Sequence, residues 1–106
     1  MTFEMIFTKA KDIVSNADVS SIQEDFIFQF HITGAGAGFF YVEKNGEILS
    51  VRPCANRRWD ALITCSTETL EKLMKGKLDP VVAFALRKIK VEGNLKKLLM
   101  LKQLLK

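Results

Sequence analysis

Residues 26–33, Phe-Ile-Phe-Gln-Phe-His-Ile-Thr, alternate without a break. In an extended chain Phe26, Phe28, Phe30 and Ile32 point one way, and Ile27, Gln29, His31 and Thr33 the other. Such an apolar face cannot be left in water, so the segment must be a half-buried strand with an apolar layer packed against it. Gly34-Ala35-Gly36-Ala37-Gly38 then turns the chain into a second strand, Phe39 to Lys44. Asn45-Gly46 signals a tight hairpin whose two central positions would both take positive φ, and Glu47 to Arg52 follow as a third strand, stopped by Pro53. The glycine run is not a nucleotide loop: that chemistry needs a helix N-terminus next, and here a strand follows.

The rest of the chain supplies the layer. Phe3, Ile6, Phe7, Ala10, Ile13 and Val14 recur at helical spacing, which predicts an amphipathic helix from Thr2 to Val14. Ser15 to Asp18 is turn chemistry, with a short helical turn expected in Val19 to Glu24. A polar connection, Cys54 to Trp59, precedes a fourth strand, Ala61 to Cys65. Ser66 or Thr67 caps a helix built on Leu70, Leu73 and Met74, with Glu68 in its first turn, Lys72 and Lys75 in its last, and Gly76 as its stop. Asp79-Pro80 opens a short helix through Leu86. Arg87 to Glu92 read as a fifth strand, and Gly93-Asn94 turns into a final helix, Leu95 to Lys106. Helices are not interleaved one per strand. The expected fold is therefore α+β: a five-stranded, mainly antiparallel sheet with helices packed on one face, and the Gln29, His31, Thr33 face in solvent. At 106 residues, positions 1–106 are expected to form a single domain.

Several functions are disfavoured at once. There is no run of the ~20 apolar residues that a membrane span needs, and Met1-Thr2-Phe3-Glu4 does not open a signal peptide. Two cysteines are too few for a disulfide framework, which points to a cytoplasmic chain with Cys65 as an inert core thiol. The one histidine, His31, has no nucleophile beside it in sequence, so no catalytic residue, metal or cofactor is expected. Arg57-Arg58-Trp59 reads as a solvated turn anchored by its tryptophan.

Charge is unevenly placed. The net charge is +4, yet residues 1–30 sum to −3 and residues 87–106 to +6. The basic end is also the most apolar helix. At ~100° per residue, Leu95, Leu98, Leu99, Leu101 and Leu105 share one arc, while Met100 and Leu104 lie opposite. A core-facing stripe is usually only a little over ~100° wide, so this helix has apolar surface to spare for a ligand, a partner chain or a lipid surface. Its lysines alternate with leucines and lack interleaved aromatics, which favours a lipid interface over nucleic acid.

Met74-Lys75-Gly76-Lys77-Leu78-Asp79-Pro80, then Ala83-Phe84, then Lys88-Ile89-Lys90-Val91-Glu92-Gly93-Asn94 resembles the sterol carrier protein two family of non-specific lipid-transfer proteins. Lys44-Asn45-Gly46 and Asp60 to Thr64 fit the same pattern, and the resemblance runs from Phe26 to the end. It implies a hydrophobic tunnel between helices and sheet, bordered by the C-terminal helix, holding a fatty acid, fatty acyl-CoA, isoprenoid or sterol-like lipid without catalysis. The lining residues expected on that basis are Phe28, Phe30, Leu70, Leu73, Met74, Phe84, Leu95, Leu98 and Leu99, with Lys96, Lys97 and Lys102 meeting anionic head groups in transient membrane contact. The alternative is an interaction module that dimerises through the C-terminal helix with its cavity collapsed. One departure stands out: the family usually has glycine where this chain has Arg87, which bears on the fifth strand and the tunnel mouth.

Overall fold

The structure is a computed structural model that describes residues 2–20, 22–56 and 58–104. Helix α1 (Phe3–Ser15) is capped by Thr2, whose hydroxyl accepts the Met5 N–H at 3.3 Å, and it buries Ile6, Ala10 and Val14 along one stripe. The short helix expected near Val19 to Glu24 is absent from the described residues there. A single turn closed by the Ile22 N–H on the Val19 carbonyl (2.9 Å) tucks Ile22 into the core instead.

Strand β1 (Phe26–Thr33) is the centre of the sheet. It pairs antiparallel with β2 (Gly38–Asn45), which pairs antiparallel with β3 (Ile48–Arg52). On its other side β1 runs parallel to β4 (Ala61–Ser66), and β5 (Lys90–Gly93) closes that edge antiparallel, giving the order β3-β2-β1-β4-β5. Three of the four pairings are antiparallel, as expected. The register places Phe28 opposite Val42 and Ala61, and Phe30 opposite Phe40 and Ile63, so one face of three strands is continuously apolar. The β2–β3 turn is centred one residue later than the Asn-Gly signal suggests. Asn45 still pairs with Ile48, and Gly46 (φ +63°) with Glu47 forms the two-residue loop. Glycine at the first central position is the pattern of a type II′ turn.

The expected solvent face of β1 needs correction at Gln29. Asn56, which follows β3 in the chain, donates its N–H to Gln29 Oε1 at 2.6 Å, and Gln29 is buried, while His31 is half-buried and Thr33 exposed.

Helix α2 (Thr67–Met74) starts at Ser66, whose hydroxyl accepts the Thr69 N–H at 3.2 Å. Helix α3 (Pro80–Ala85) starts at Asp79, whose carboxylate accepts the Val81 and Val82 N–H groups at 2.8 and 3.3 Å. Both end in the same way. After α2 the Lys77 N–H reaches the Lys72 carbonyl and the Gly76 N–H reaches Leu73; after α3 the Lys88 N–H reaches Ala83 and the Arg87 N–H reaches Phe84. These are paired Schellman closures, which need a left-handed residue just past the helix. Gly76 (φ +72°) supplies it in the first and Arg87 (φ +60°) in the second. A side chain in that region costs about 1 kcal/mol or more. The same closure explains why the fifth strand begins at Lys90 and not at Arg87: residues 86–89 are spent reversing the chain, although Ile89 still reaches the core.

The final helix is shorter and differently phased than expected. Leu95–Lys97 form a 3₁₀ turn capped by Asn94, and α4 proper covers Leu98–Leu104. Its buried residues are Leu98, Leu101 and Leu104. Leu95 and Leu99 are exposed, so Leu104 lies on the inner side, opposite to expectation. Leu105 and Lys106 fall outside the described residues, as does Arg57.

Candidate functional site

The helices and the apolar sheet face enclose a small void. Its wall is Ala10, Ile13 and Val14 of α1, Phe30 of β1, Phe40 and Val42 of β2, Leu70 and Met74 of α2, and Leu101 and Leu104 of α4. Phe30 and Phe40 form its floor, stacked at 4.8 Å with planes 9° apart. No polar atom faces the void, and its volume is about 20 Å³, room for about one water. Outside it, between α1 and α2, lies a recess of about 290 Å³ lined by Lys9, Asp12, Ile13, Glu71, Met74 and Lys75. Ile13 and Met74 belong to both, so these two side chains are the partition between solvent and the interior. Across the recess Glu71 accepts a hydrogen bond from Lys75 at 2.8 Å and faces Lys9 at 3.9 Å. The Lys75 hydrogen bond holds the Glu71 carboxyl below the usual glutamate range.

Of the residues expected to line a tunnel, Phe30, Leu70 and Met74 line this void, while Phe28, Leu73 and Leu98 are buried around it. Phe84, Leu95 and Leu99 stand outside the core, exposed. Leu101 and Leu104, which sequence reasoning did not select, complete the wall. Lys97 is what hides them in the sequence, because a lysine is ordinarily assigned to the solvent side of a helix. It lies one helical turn from Leu101, points inward with its side chain only 14% exposed, and places its ammonium 3.6 Å from Asp60 Oδ2 and 2.9 Å from the Asp25 carbonyl. Lys102 is also engaged, at 2.9 Å from Asp79. Of the three lysines expected to meet head groups, Lys96 alone has no ion pair among the described residues.

Asp60 is the residue most easily missed. Its carboxylate accepts the Ile27 N–H (2.7 Å), its N–H donates to the Ile27 carbonyl (2.8 Å), and its carbonyl accepts the Asn94 N–H (2.8 Å). It therefore joins β1, the start of β4 and the cap that leads into α4.

The Lys102–Asp79 contact predicts an acid sensitivity. The Lys102 hydrogen bond, with help from the Val81 and Val82 N–H groups, holds the Asp79 carboxyl below its ordinary 3.8. A lowered folded-state value means the stabilisation is present above 3.8 and is lost as pH falls through that value toward the folded one. The melting temperature should drop as pH is lowered across this window, and Asp79→Ala should remove part of the slope; melting curves across the acid range check both.

Cys65 is buried, and desolvation pushes its thiol up to about 12. Cys54 is exposed. An alkylating reagent at mildly alkaline pH should label Cys54 and leave Cys65 about a thousandfold slower or more, because so little thiolate forms. Peptide mass mapping before and after denaturant reads the difference. Equal labelling in the native state would mean that β4 opens readily.

Among the described residues no group of three His, Cys, Asp or Glu side chains could hold a metal ion, and no helix is long and apolar enough to cross a membrane. The arrangement is thus a sheet and helices around an apolar interior with a thin, charged-rimmed partition. Residues 4–106 match the SCP-2 sterol transfer family, and the chain belongs to that family. The fold agrees with palmitated sterol carrier protein 2-like 2 of Aedes aegypti, with a TM-score of 0.73 and 20% identity over 99% of this chain and 95% of that one. It also agrees with part of the inverting sec-alkylsulfatase Pisa1 of Pseudomonas sp., with a TM-score of 0.65 and 19% identity over 92% of this chain and 14% of that one. Hydroxysteroid dehydrogenase-like protein 2 of Rattus norvegicus is 30% identical over 95 residues, which is 87% of this chain and 17% of that protein. The chain spans about a fifth of the length of the curated relatives it matches.

Proposed function

We propose that this chain is a single lipid-binding unit that carries one acyl-chain lipid between its helices and sheet and has no chemical step of its own. The observation that carries this is the wall: ten apolar side chains from five elements meet around a void that no polar atom faces. A void of one water's size is within what ordinary cores leave; what suits a carrier is that the wall is wholly apolar, so that once parted it would admit only an apolar guest. Ligand pockets run to roughly 300 Å³ or more, so the helices must part for loading. The Ile13–Met74 partition between α1 and α2, which lines both the void and the outer recess, is the place this reading assigns to that opening. The Aedes protein that shares the fold was studied with palmitate, which supports a fatty-acid-like guest.

Native mass spectrometry of gently purified chain, together with displacement of a fluorescent fatty acid, tests this. The expected result is one lipid per chain and saturable displacement. Absence of both would sink the carrier and favour the interaction module, which keeps the near-closed interior and uses the C-terminal helix to hold a second copy.

A further inference from the structure

Two lysines turn toward an interior that is otherwise apolar. On β2 the inward residue after Val42 is Lys44, which stands opposite Phe26 in the register and is 5% exposed. On the last helical stretch Lys97 lies one turn before Leu101, with its side chain 14% exposed. Val42 and Leu101 both line the void, so each lysine is the next inward position beyond the wall. Both reach the same residue at the start of β1. Lys44 Nζ is 3.7 Å from Asp25 Oδ1, and Lys97 Nζ donates to the Asp25 carbonyl at 2.9 Å. The two ammoniums therefore cluster at one end of the apolar interior.

Their carboxylate partners hold them loosely. A charge-assisted N–H···O bond runs to about 2.7–2.9 Å, yet Lys44 and Lys97 stand 3.7 and 3.6 Å from Asp25 and Asp60. The same two oxygens are engaged elsewhere: Asp25 Oδ1 accepts the Gly46 N–H at 2.8 Å, and Asp60 Oδ2 accepts the Ile27 N–H at 2.7 Å. Taking a cation out of water beside a loosely held partner is less favourable than packing an apolar side chain there. Another anion would complete the hydrogen bonding of both ammoniums.

An acyl lipid brings such an anion to this place. Phe26 and Phe30 are four strand residues apart, about 13 Å. A guest laid along β1, with its chain against the Phe30–Phe40 stack, has its head level with Phe26 and Lys44. The Asp25 side chain is 61% exposed, so a head group here keeps part of its hydration.

We propose that Lys44 and Lys97 bind the ionised carboxylate of the guest in place of the Asp25 carboxylate, and so select free fatty acids over alcohols and esters of the same chain length. The assignment rests on the carrier reading above and adds the polar end of its site.

Titration calorimetry of the full chain with laurate and with dodecanol, an acid and an alcohol of one chain length, tests it near neutral pH. Laurate should bind at least about tenfold more tightly, because its hydrogen bonds to the lysines are charge-assisted. Lys44→Met and Lys97→Met should each weaken laurate by about tenfold and leave dodecanol unchanged. Both variants should stay folded, since Asp25 and Asp60 reach solvent and neither is left as a buried lone charge. Asp25→Asn works in the opposite direction. It keeps an oxygen for the Gly46 N–H and removes the competing charge, so laurate should bind severalfold more tightly while dodecanol does not change. A loss of both ligands alike in the three variants would make the lysines structural and overturn the assignment. Equal binding of laurate and dodecanol by the original chain overturns it whether or not a variant folds, and leaves the carrier standing. Binding of neither overturns the assignment and the carrier together.

Discussion

Gly93→Ala is expected to destabilise the chain by about 3 kcal/mol or more, the sum of a left-handed backbone and overpacking against rigid atoms. Gly93 sits at φ +95°, and a Cβ there would run into the carbonyl oxygen of Asp60 and come within 2.9 Å of the Trp59 ring. That carbonyl already accepts the Asn94 N–H, and Ala61 pairs with Gly93 across the β4–β5 ladder. Relief of the clash therefore has to move β5 away from β4 or break the cap that starts the 3₁₀ turn, and either loosens Lys97 from Asp60. Gly76→Ala is the control: its φ is +72° but nothing lies within 4 Å of a Cβ there, so it should lose only about 1 kcal/mol. Urea unfolding of the two variants decides the matter. Equal midpoints would mean that the Asp60 contact does not constrain the fold.

This end of the sheet shows what a sequence can and cannot disclose. Strands β1 and β2 were legible because alternation is local, and the starts of α2 and α3 because Ser66 and Asp79 cap from within four residues of the N–H groups they serve. The role of Asp60 was not legible, since its partners are Ile27, Asn94 and Lys97, which only the sheet order brings together. The phase of α4 failed for a related reason. A helix apolar nearly all round offers more than one inward stripe, and the usual tie-breaker, lysine toward water, pointed the wrong way because Lys97 turns inward to Asp60 and the Asp25 carbonyl. Lys44 repeats the lesson on β2, buried on the core face with Asp25 at 3.7 Å. Arg87 shows the opposite case. The position stood out in sequence as one where glycine is usual in the family, and the structure supplies the reason in its positive φ.

The phase of α4 has a consequence for the interior. Leu101→Ala, at a fully buried residue on the wall of the void, is expected to cost about 3 kcal/mol. It should also change how the chain responds to lipid. The unmodified interior holds about 20 Å³, so on the proposed reading part of the affinity for an acyl chain would be spent on parting the helices. Removing the Leu101 side chain leaves a larger dry, apolar space, the kind that accepts apolar guests. A ligand that binds the folded state alone adds stability as RT ln(1 + [L]/Kd), about 2.7 kcal/mol at a hundredfold excess over Kd. Added fatty acid should therefore raise the melting temperature of Leu101→Ala by more than it raises that of the unmodified chain. Leu99→Ala, at an exposed position on the same helix, should change stability by no more than about 0.5 kcal/mol and leave the lipid-induced rise as it was. Thermal melts of the three chains, each with and without fatty acid, separate the outcomes. An equal lipid-induced rise in Leu101→Ala and the unmodified chain would place the guest outside this interior. A larger rise confined to Leu101→Ala would place it against α4, where Leu104 and the Phe30–Phe40 stack form the adjoining wall.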